Sequence, residues 1–234
     1  MKVTLLVFSL NELEGMKVIM PRIDSKLFHQ VILVDGGSTD GTIEWARENG
    51  MHVHEQIKKG MRHGYDEVLD QITGEVVISF SPDGNSVPEL LPELIAKMNE
   101  GFDMVIVSRY LEDAKSEDDD IITAFGNWFF TKTVNFLYSG NYTDVMVMYR
   151  GWKKNLYKDL DLHTDAAFSV FEKAFFTKAC VIPLMSVRAL KRNLKVSEIP
   201  GDEPARIGGE RKLQIIRGGL LYYLTFFREL WFWK

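Results

Sequence analysis

Four short apolar runs that each close on a polar tip most constrain the fold open to this 234-residue chain. Val3–Phe8 runs into Ser9-Leu10-Asn11-Glu12, and Val31–Val34 runs into Asp35-Gly36-Gly37-Ser38. Val76–Phe80 ends in Ser81-Pro82-Asp83-Gly84-Asn85, and Asp103–Val107 ends in Ser108-Arg109-Tyr110. Runs that are apolar without alternation read as strands covered on both faces. Met51–Glu55 is a weaker strand candidate between the second and third runs. Helical segments are expected at Glu14–Ile23, Ile43–Asn49, Tyr65–Ile72 and Glu89–Asn99, the last opened by Pro88. Strand-helix units in series predict an α/β domain with a mostly parallel central sheet and helices on both faces. In such sheets ligands bind outside the carboxyl ends of the strands.

The third run carries the sharpest chemistry. Proline cannot extend a central strand, and Gly84 permits a tight turn, so Asp83 and Asn85 are delivered to the ligand edge. A carboxylate and an amide oxygen two residues apart suit Mg²⁺ or Mn²⁺ already carried by a diphosphate. The competing reading is an Asp-Gly turn between strand and helix. Lys58–Gly64 is a basic loop with glycines at Gly60 and Gly64, and reads either as a phosphate cradle or as a solvated turn. His52 and His54 alternate on one strand face; with no third ligand nearby the pair reads as structural.

Beyond Tyr110 the pattern changes. Glu112–Asp120 reads as a mobile, solvated acidic loop. Ile121–Tyr138 carries Phe125, Trp128, Phe129, Phe136 and Leu137 at helical spacing, and core packing is the expected use of that stripe. A strand at Val145–Tyr149 capped by Arg150, helices at Trp152–Leu160 and Ala166–Lys178, and a strand at Leu194–Pro200 are expected next. A basic loop, Arg206–Lys212, precedes a closing helical segment, Leu213–Trp233. The division is therefore a domain over 1–212 and an amphipathic segment over 213–234.

Composition excludes several classes. A single cysteine, Cys180, leaves no internal disulfide and no four-cysteine zinc site, and fits a reducing compartment. No Gly-x-Gly-x-x-Gly follows the first strand, so the dehydrogenase fingerprint is absent. The amino terminus reads as a strand, not a signal peptide. From Arg188 to Lys234 the chain holds 10 basic and 5 acidic residues, against 18 and 28 in the remainder. A basic end on an acidic body points to an anionic partner. Nucleic acid is not expected, because apolar runs interleave the charges and no reader motif is present.

Taken in order, these motifs resemble family 2 glycosyltransferases of the GT-A, nucleotide-diphospho-sugar transferase fold. The resemblance rests on Asn11-Glu12, Val34-Asp35-Gly36-Gly37-Ser38-Thr39-Asp40-Gly41-Thr42, Gly60–Gly64 and Ser81–Asn85. Asp103–Tyr110, Asp144 through Tyr149-Arg150, and Glu198-Ile199-Pro200 followed by Arg206-x-x-Gly209-Glu210-x-Lys212-Leu213 are similar to the branch that transfers sugars to polyprenyl or dolichyl phosphate. It spans about residues 3–215. Departures are Ser81 for the first acid of Asp-x-Asp, Gly36 for an aspartate, Val147-Met148 for Ser-Gly, and Arg211 for a serine.

The resemblance implies an inverting hexosyltransferase-type enzyme that uses a UDP-, GDP- or dTDP-sugar and a lipid-linked or saccharide acceptor in glycan or cell-envelope synthesis. It places Asn11, Glu12, Asp35, Gly37, Ser38, Gly60, Gly64 and Asp83 around the donor, with Asp83 and Asn85 on the metal. Arg109, Arg206 and Lys212 are expected to supply positive charge to phosphates, the last two from a glycine-flanked closing loop. A hydroxyl acceptor needs a base, for which Asp144, Asp165 and Glu172 are candidates; a phosphate acceptor needs none. A nucleotidyltransferase, or an inactive nucleotide-sugar-binding module at a membrane, are the rival readings. The closing segment is too short in uncharged sequence to span a bilayer. Its wide apolar face, a narrow polar stripe of Gln214, Arg217, Thr225 and Arg228, and Trp231-Phe232-Trp233-Lys234 predict a peripheral helix at the cytoplasmic face of a membrane; the competing use of the apolar face is packing on the protein core or a dimer interface.

Overall fold

The computed structural model describes residues 1–176, 179–208 and 215–233. Seven strands form one sheet: β1 (Val3–Ser9), β2 (Gln30–Asp35), β3 (His52–Glu55), β4 (Val76–Phe80), β5 (Met104–Ser108), β6 (Arg150–Lys153) and β7 (Val196–Pro200). Their order is β3-β2-β1-β4-β6-β5-β7. Every pairing is parallel except the two made by β6, which runs antiparallel between β4 and β5. The carboxyl ends of the other six strands therefore share one edge.

Alternate residues of each strand feed two apolar layers, as the two-residue period of a strand requires. Leu5, Val7, Ile78, Phe80, Val105 and Val107 face one layer. They meet α1 (Leu13–Ile19), α2 (Thr42–Glu48) and α4 (Leu91–Asn99) through Met16, Ala46, Leu91 and Leu94. Leu6, Phe8, Ile32, Val77 and Ile106 face the other, against Tyr65 and Val68 of α3 (Met61–Val68). Most of these side chains are almost wholly withdrawn from water, each worth about 1.5–3 kcal/mol.

The second half fills this other layer. It contains α5 (Ile121–Tyr138), α6 (Leu156–Asp159), α7 (Ser169–Phe175), α8 (Val181–Lys191) and α9 (Ile215–Phe232). The strand expected at Val145–Tyr149 is irregular. Two of its carbonyls turn inward, since Arg150 donates to Val147 O at 2.6 and 3.0 Å and to Val145 O at 3.3 Å, so these two are lost to a ladder. The strand is instead Arg150–Lys153, displacing the start of the helix expected at Trp152. The acidic loop is tied down as well. Lys115 N donates to Asp202 Oδ1 at 2.9 Å, and Glu117 N donates to Glu203 O at 2.8 Å.

Helix α9 packs against α5, α7 and α8. Leu221, Thr225, Phe226 and Glu229 face the protein, so the docked face mixes apolar and polar side chains, and of the expected polar stripe Thr225 is buried. Gln214 and Lys234, part of the same expectation, lie outside the described residues.

Candidate functional site

Five strand ends bring the expected residues to one edge. Asp35, at the tip of β2, is fully buried and accepts four hydrogen bonds. Ser9 Oγ and Ser38 Oγ donate to its Oδ2 at 2.7 and 2.6 Å, and the Gly37 and Ser38 amides donate to its Oδ1 at 2.8 and 2.7 Å. All four lone-pair positions are used, so Asp35 shapes the loop that follows it. Asn11, with φ of 55°, joins that loop to the end of β1: its amide donates to Ser38 Oγ at 2.7 Å, and its Oδ1 accepts from Thr39 N at 2.8 Å.

Asp40 was not singled out by sequence, although it ties the two loops together. It accepts from Leu13 N at 3.0 Å and from Thr42 N at 3.0 Å. Burial opposes its ionisation, but Thr42 and the Leu13 and Thr42 amides outweigh it and hold the carboxyl below its ordinary range. The signal was available in an acid poised two residues before the start of α2, though its bond to the start of α1 spans 27 positions. Gly60 takes a positive φ of 109° before α3, and a Cβ at Gly64 would lie 1.9 Å from Gln56 Nε2. Gly60 thus serves the turn into α3 and Gly64 the close packing against Gln56. His54 pairs with Glu67 at 3.0 Å and His52 with Gln71 at 3.0 Å, in line with the structural reading.

The turn after β4 is wedged between two other segments. A Cβ on Gly15 of α1 would come within 2.2 Å of Pro82 O, and one on Gly84 within 2.8 Å of Ile207. Gly84 also has φ of 96°. Only glycine fits either place. This fixes Asp83, whose Oδ1 accepts from Asn85 N at 3.1 Å. Asp83 Oδ2 accepts from Arg206 Nη1 at 2.6 Å, and Asn85 Oδ1 accepts from Arg206 Nη2 at 2.9 Å. Glu12 Oε1 lies 3.8 Å from Arg206 Nη1. The two oxygens expected on a metal thus converge on one cationic group. Among the described residues, no set of three or more His, Cys, Asp or Glu side chains forms a metal site. The donor set accordingly fits a cation that brings further oxygens on a diphosphate. Lys212 lies outside the described residues.

Arg109 stands at the tip of β5, but its guanidinium is committed. It donates to Asp144 at 2.6 and 3.1 Å and to Glu203 at 3.2 and 3.3 Å, with Asp119 at 3.8 Å. Asp144 is completely buried and also accepts from the Met146 and Val147 amides at 3.0 and 3.1 Å. Burial opposes its ionisation, but Arg109 overcomes this and holds the carboxyl low. Its ion pair thus supports the fold above about pH 4 and is lost as pH falls through the lowered folded value. Glu198 of β7 and Glu203, neither nominated as a site residue from sequence, complete this cluster. Glu198 accepts from the Thr143 and Asp144 amides at 2.8 and 3.1 Å. Burial pushes the Glu203 carboxyl up, against the opposing pull of Arg109.

The other two base candidates are grouped elsewhere, around Arg62. Arg62 donates to Asp165 at 3.0 Å and to Glu172 at 3.3 Å, and its guanidinium lies 4.9 Å from the Phe168 ring centre. Glu172 also accepts from Ala179 N at 3.0 Å. All three carboxylates nominated as bases are therefore held by arginines.

One broad apolar face lies outside this edge. In α5 the side chains of Ile121, Ile122, Phe125, Trp128 and Phe136 are 55–89% exposed, which corrects the core packing expected for that stripe. Phe129 of α5 stacks on Tyr223 of α9 at 5.4 Å, and Tyr223 meets Phe227 edge-on at 4.9 Å. Trp231 is 67% exposed beyond them. No helix among the described residues is long and apolar enough to cross a membrane.

Parallel strand tips carrying acids and amides, a glycine-wedged Asp83 turn and an antiparallel β6 define a nucleotide-sugar transferase fold. Residues 18–161 match the family model Glycosyl transferase family 2, and the chain belongs to that family. It is similar to glycosyltransferase AglJ of Haloferax volcanii, 26% identical over 229 residues, covering 97% of this chain and 71% of that protein. It is also 26% identical over 243 residues to the undecaprenyl-phosphate mannosyltransferase of Micrococcus luteus, covering 94% and 95% of the two chains. A third relative, the dolichol-phosphate mannosyltransferase of Pyrococcus furiosus, is 29% identical over 126 residues, or 50% of this chain and 36% of that one. Among solved structures, glucosyl-3-phosphoglycerate synthase of Mycobacterium tuberculosis superposes with a TM-score of 0.64 at 15% identity, over 98% of this chain and 79% of that one. That likeness establishes the GT-A fold.

Proposed function

We propose that this protein is an inverting glycosyltransferase that moves a sugar from a nucleoside-diphosphate donor to a polyprenyl-phosphate acceptor at a membrane surface. The observation that carries the donor side is the convergence of Asp83 and Asn85 oxygens on one cationic position at the carboxyl edge of the sheet. Crystals of the Mycobacterium tuberculosis synthase that contain Mn²⁺ and UDP support the same assignment by likeness of fold. Asp83 and Asn85 would hold a divalent cation, which would supply a Lewis acid against the charge of the departing diphosphate. Asp35, Asn11 and Ser38 hold the loop that receives the nucleoside, and Glu12 stands beside it.

In the transfer, the bond between the anomeric carbon and the diphosphate oxygen breaks, and its electron pair leaves with the diphosphate. An acceptor oxygen forms the new bond from the opposite face, which inverts the centre. A phosphate acceptor is already an anion and gives up no proton. This favours phosphate over a sugar hydroxyl here, because Asp144, Asp165 and Glu172 are all engaged by arginines. Two of the three named relatives are a dolichol-phosphate and an undecaprenyl-phosphate mannosyltransferase, which points the same way. A thermal-shift screen tests the donor assignment. UDP-, GDP- and dTDP-sugars with Mn²⁺ are expected to raise the melting temperature for one base and not the others, by mass action on the native state. No shift with any of them, with or without metal, contradicts it.

The acceptor side is carried by the apolar face of α5 and α9. Exposed aromatic area of this extent on the outside of two packed helices suits a lipid headgroup boundary. The bulk of the domain (1–212) then stands above the bilayer, with the segment 213–234 and α5 as its contact, at the cytoplasmic face. Phe125→Glu with Trp231→Glu is expected to weaken binding to anionic liposomes by at least about tenfold. Each ring withdrawn from water is worth about 1.5–3 kcal/mol, and 1.4 kcal/mol is tenfold. Both residues are solvent-facing, so the variant keeps its fold, and equal flotation of variant and parent rejects this face as the lipid contact.

A further inference from the structure

Arg206 stands on the two oxygens that the cation reading assigns to a metal. Nη1 donates to Asp83 Oδ2 at 2.6 Å and Nη2 to Asn85 Oδ1 at 2.9 Å, with Asp118 Oδ2 at 3.8 Å from Nη2. Its loop is seated on the same turn by separate bonds: Asn85 Nδ2 donates to Pro204 O at 2.8 Å, and Ile207 N donates to Asp83 O at 2.7 Å. The side chain is nonetheless incompletely satisfied, since Arg206 Nε is buried without a hydrogen-bond partner. That is a cost to holding it here. A guanidinium and a divalent cation on the same pair of oxygens would repel one another at contact distance.

We propose that Arg206 is a built-in plug of the cation site. It neutralises Asp83 while the site has no donor, and the metal–nucleoside diphosphate complex must expel it to bind. Once expelled, its charge is available to a phosphate oxygen, so one side chain guards the empty site and serves the filled one. The exchange breaks no covalent bond; the Asp83 carboxylate trades one cationic partner for another. This inference rests on Asp83 and Asn85 being the metal ligands.

Mn²⁺ alone is the probe, since it separates the plug from any contact between Arg206 and phosphate. Bound Mn²⁺ is read from loss of the free-ion electron paramagnetic resonance signal, on the full chain. Arg206→Met, which keeps the apolar stem and removes the charge, is expected to bind Mn²⁺ at least tenfold more tightly than the parent. Arg206→Gln is expected to change affinity in the same direction, and Arg206→Met combined with Asp83→Ala to lose the gain. Unchanged or weaker Mn²⁺ binding in both Arg206 variants, with binding still dependent on Asp83, overturns the plug and leaves the ligand assignment standing. A gain that survives Asp83→Ala overturns the ligand assignment and the plug with it; no Mn²⁺ binding by any variant overturns the plug, since removing the guanidinium then frees no cation site, and leaves standing the ligand assignment, which draws its further oxygens from the diphosphate.

Discussion

Replacing Asp83 by alanine lowers sugar transfer by at least about 100-fold and moves the melting temperature by no more than a few degrees. The size of the rate effect is that of removing one preorganised group from developing transition-state charge, about 10²–10³-fold. The carboxylate supplies a metal ligand and a neutralising charge at once. Its protein contacts are with Asn85 N and Arg206, both at the ligand edge. Strand β4 is fixed independently by its ladders to β1 and β6, so the fold does not depend on this side chain. Asp83→Asn separates the two contributions: it keeps the turn and loses the charge, and is expected to fall close to the alanine variant. Steady-state rates with and without a chelator check both. A variant with normal turnover, or a parent enzyme indifferent to chelation, contradicts the metal reading.

Arg188→Met destabilises the protein by about 3–5 kcal/mol, the cost of stripping a buried charge of its main partner, since Arg228 Nη2 alone then remains, 3.4 Å from Glu229 Oε1. Arg188 of α8 donates to Glu229 of α9 at 2.9 and 3.1 Å, with both side chains essentially sealed from water. Its Nη1 also donates to the Leu160 and Asp161 carbonyls at 2.6 and 3.1 Å, and the Trp233 ring lies 4.8 Å from its guanidinium. Trp233 Nε1 in turn donates to Asp161 Oδ2 at 2.7 Å. At roughly 2–4 °C per kcal/mol for a chain of this size, the melting temperature falls by about 6–20 °C. Arg188→Met combined with Glu229→Met removes both charges and is expected to recover most of the loss. A decrease below about 1 kcal/mol in the single variant shows that α9 is held by its apolar contacts alone. The pair works beside the buried Leu221, Phe226 and Trp233 of the same segment, which leaves Leu220, Leu230 and Trp231 on the outward side of α9.

The strands that place the ligand edge were legible because each is an unbroken apolar run with a turn signal at its end. The helix Ile121–Tyr138 was legible from its period, but the fate of its aromatic stripe was not. Periodicity identifies a face; it does not say whether protein, lipid or water covers it. Helix α8 left no trace because nine of its residues, Val181–Ala189, are buried and so show no polar side. Strand β6 was hidden for another reason. Arg150-Gly151-Trp152-Lys153 has no apolar run, whereas the preceding Val145–Tyr149 does, and a buried guanidinium diverts the carbonyls of the latter. At the site, the motif residues could be named singly. Their partners could not: Arg206 reaches Asp83 across 123 positions, and Arg109 reaches Glu203 across 94. Charge neutralisation between distant loops decides which of these groups can serve a substrate, and it is a property of the folded chain.

The proposed reaction is transfer of a sugar from a nucleoside diphosphate to a lipid phosphate. The most direct measurement incubates the protein with Mn²⁺, a polyprenyl phosphate and sugar-labelled UDP-, GDP- or dTDP-sugar, then follows the label into the organic phase while free nucleotide is quantified. Label is expected to enter the lipid fraction with one nucleoside diphosphate released per sugar, and omitting the polyprenyl phosphate or replacing Asp83 is expected to abolish both. Release of pyrophosphate or nucleoside monophosphate, or label confined to water-soluble products, contradicts it.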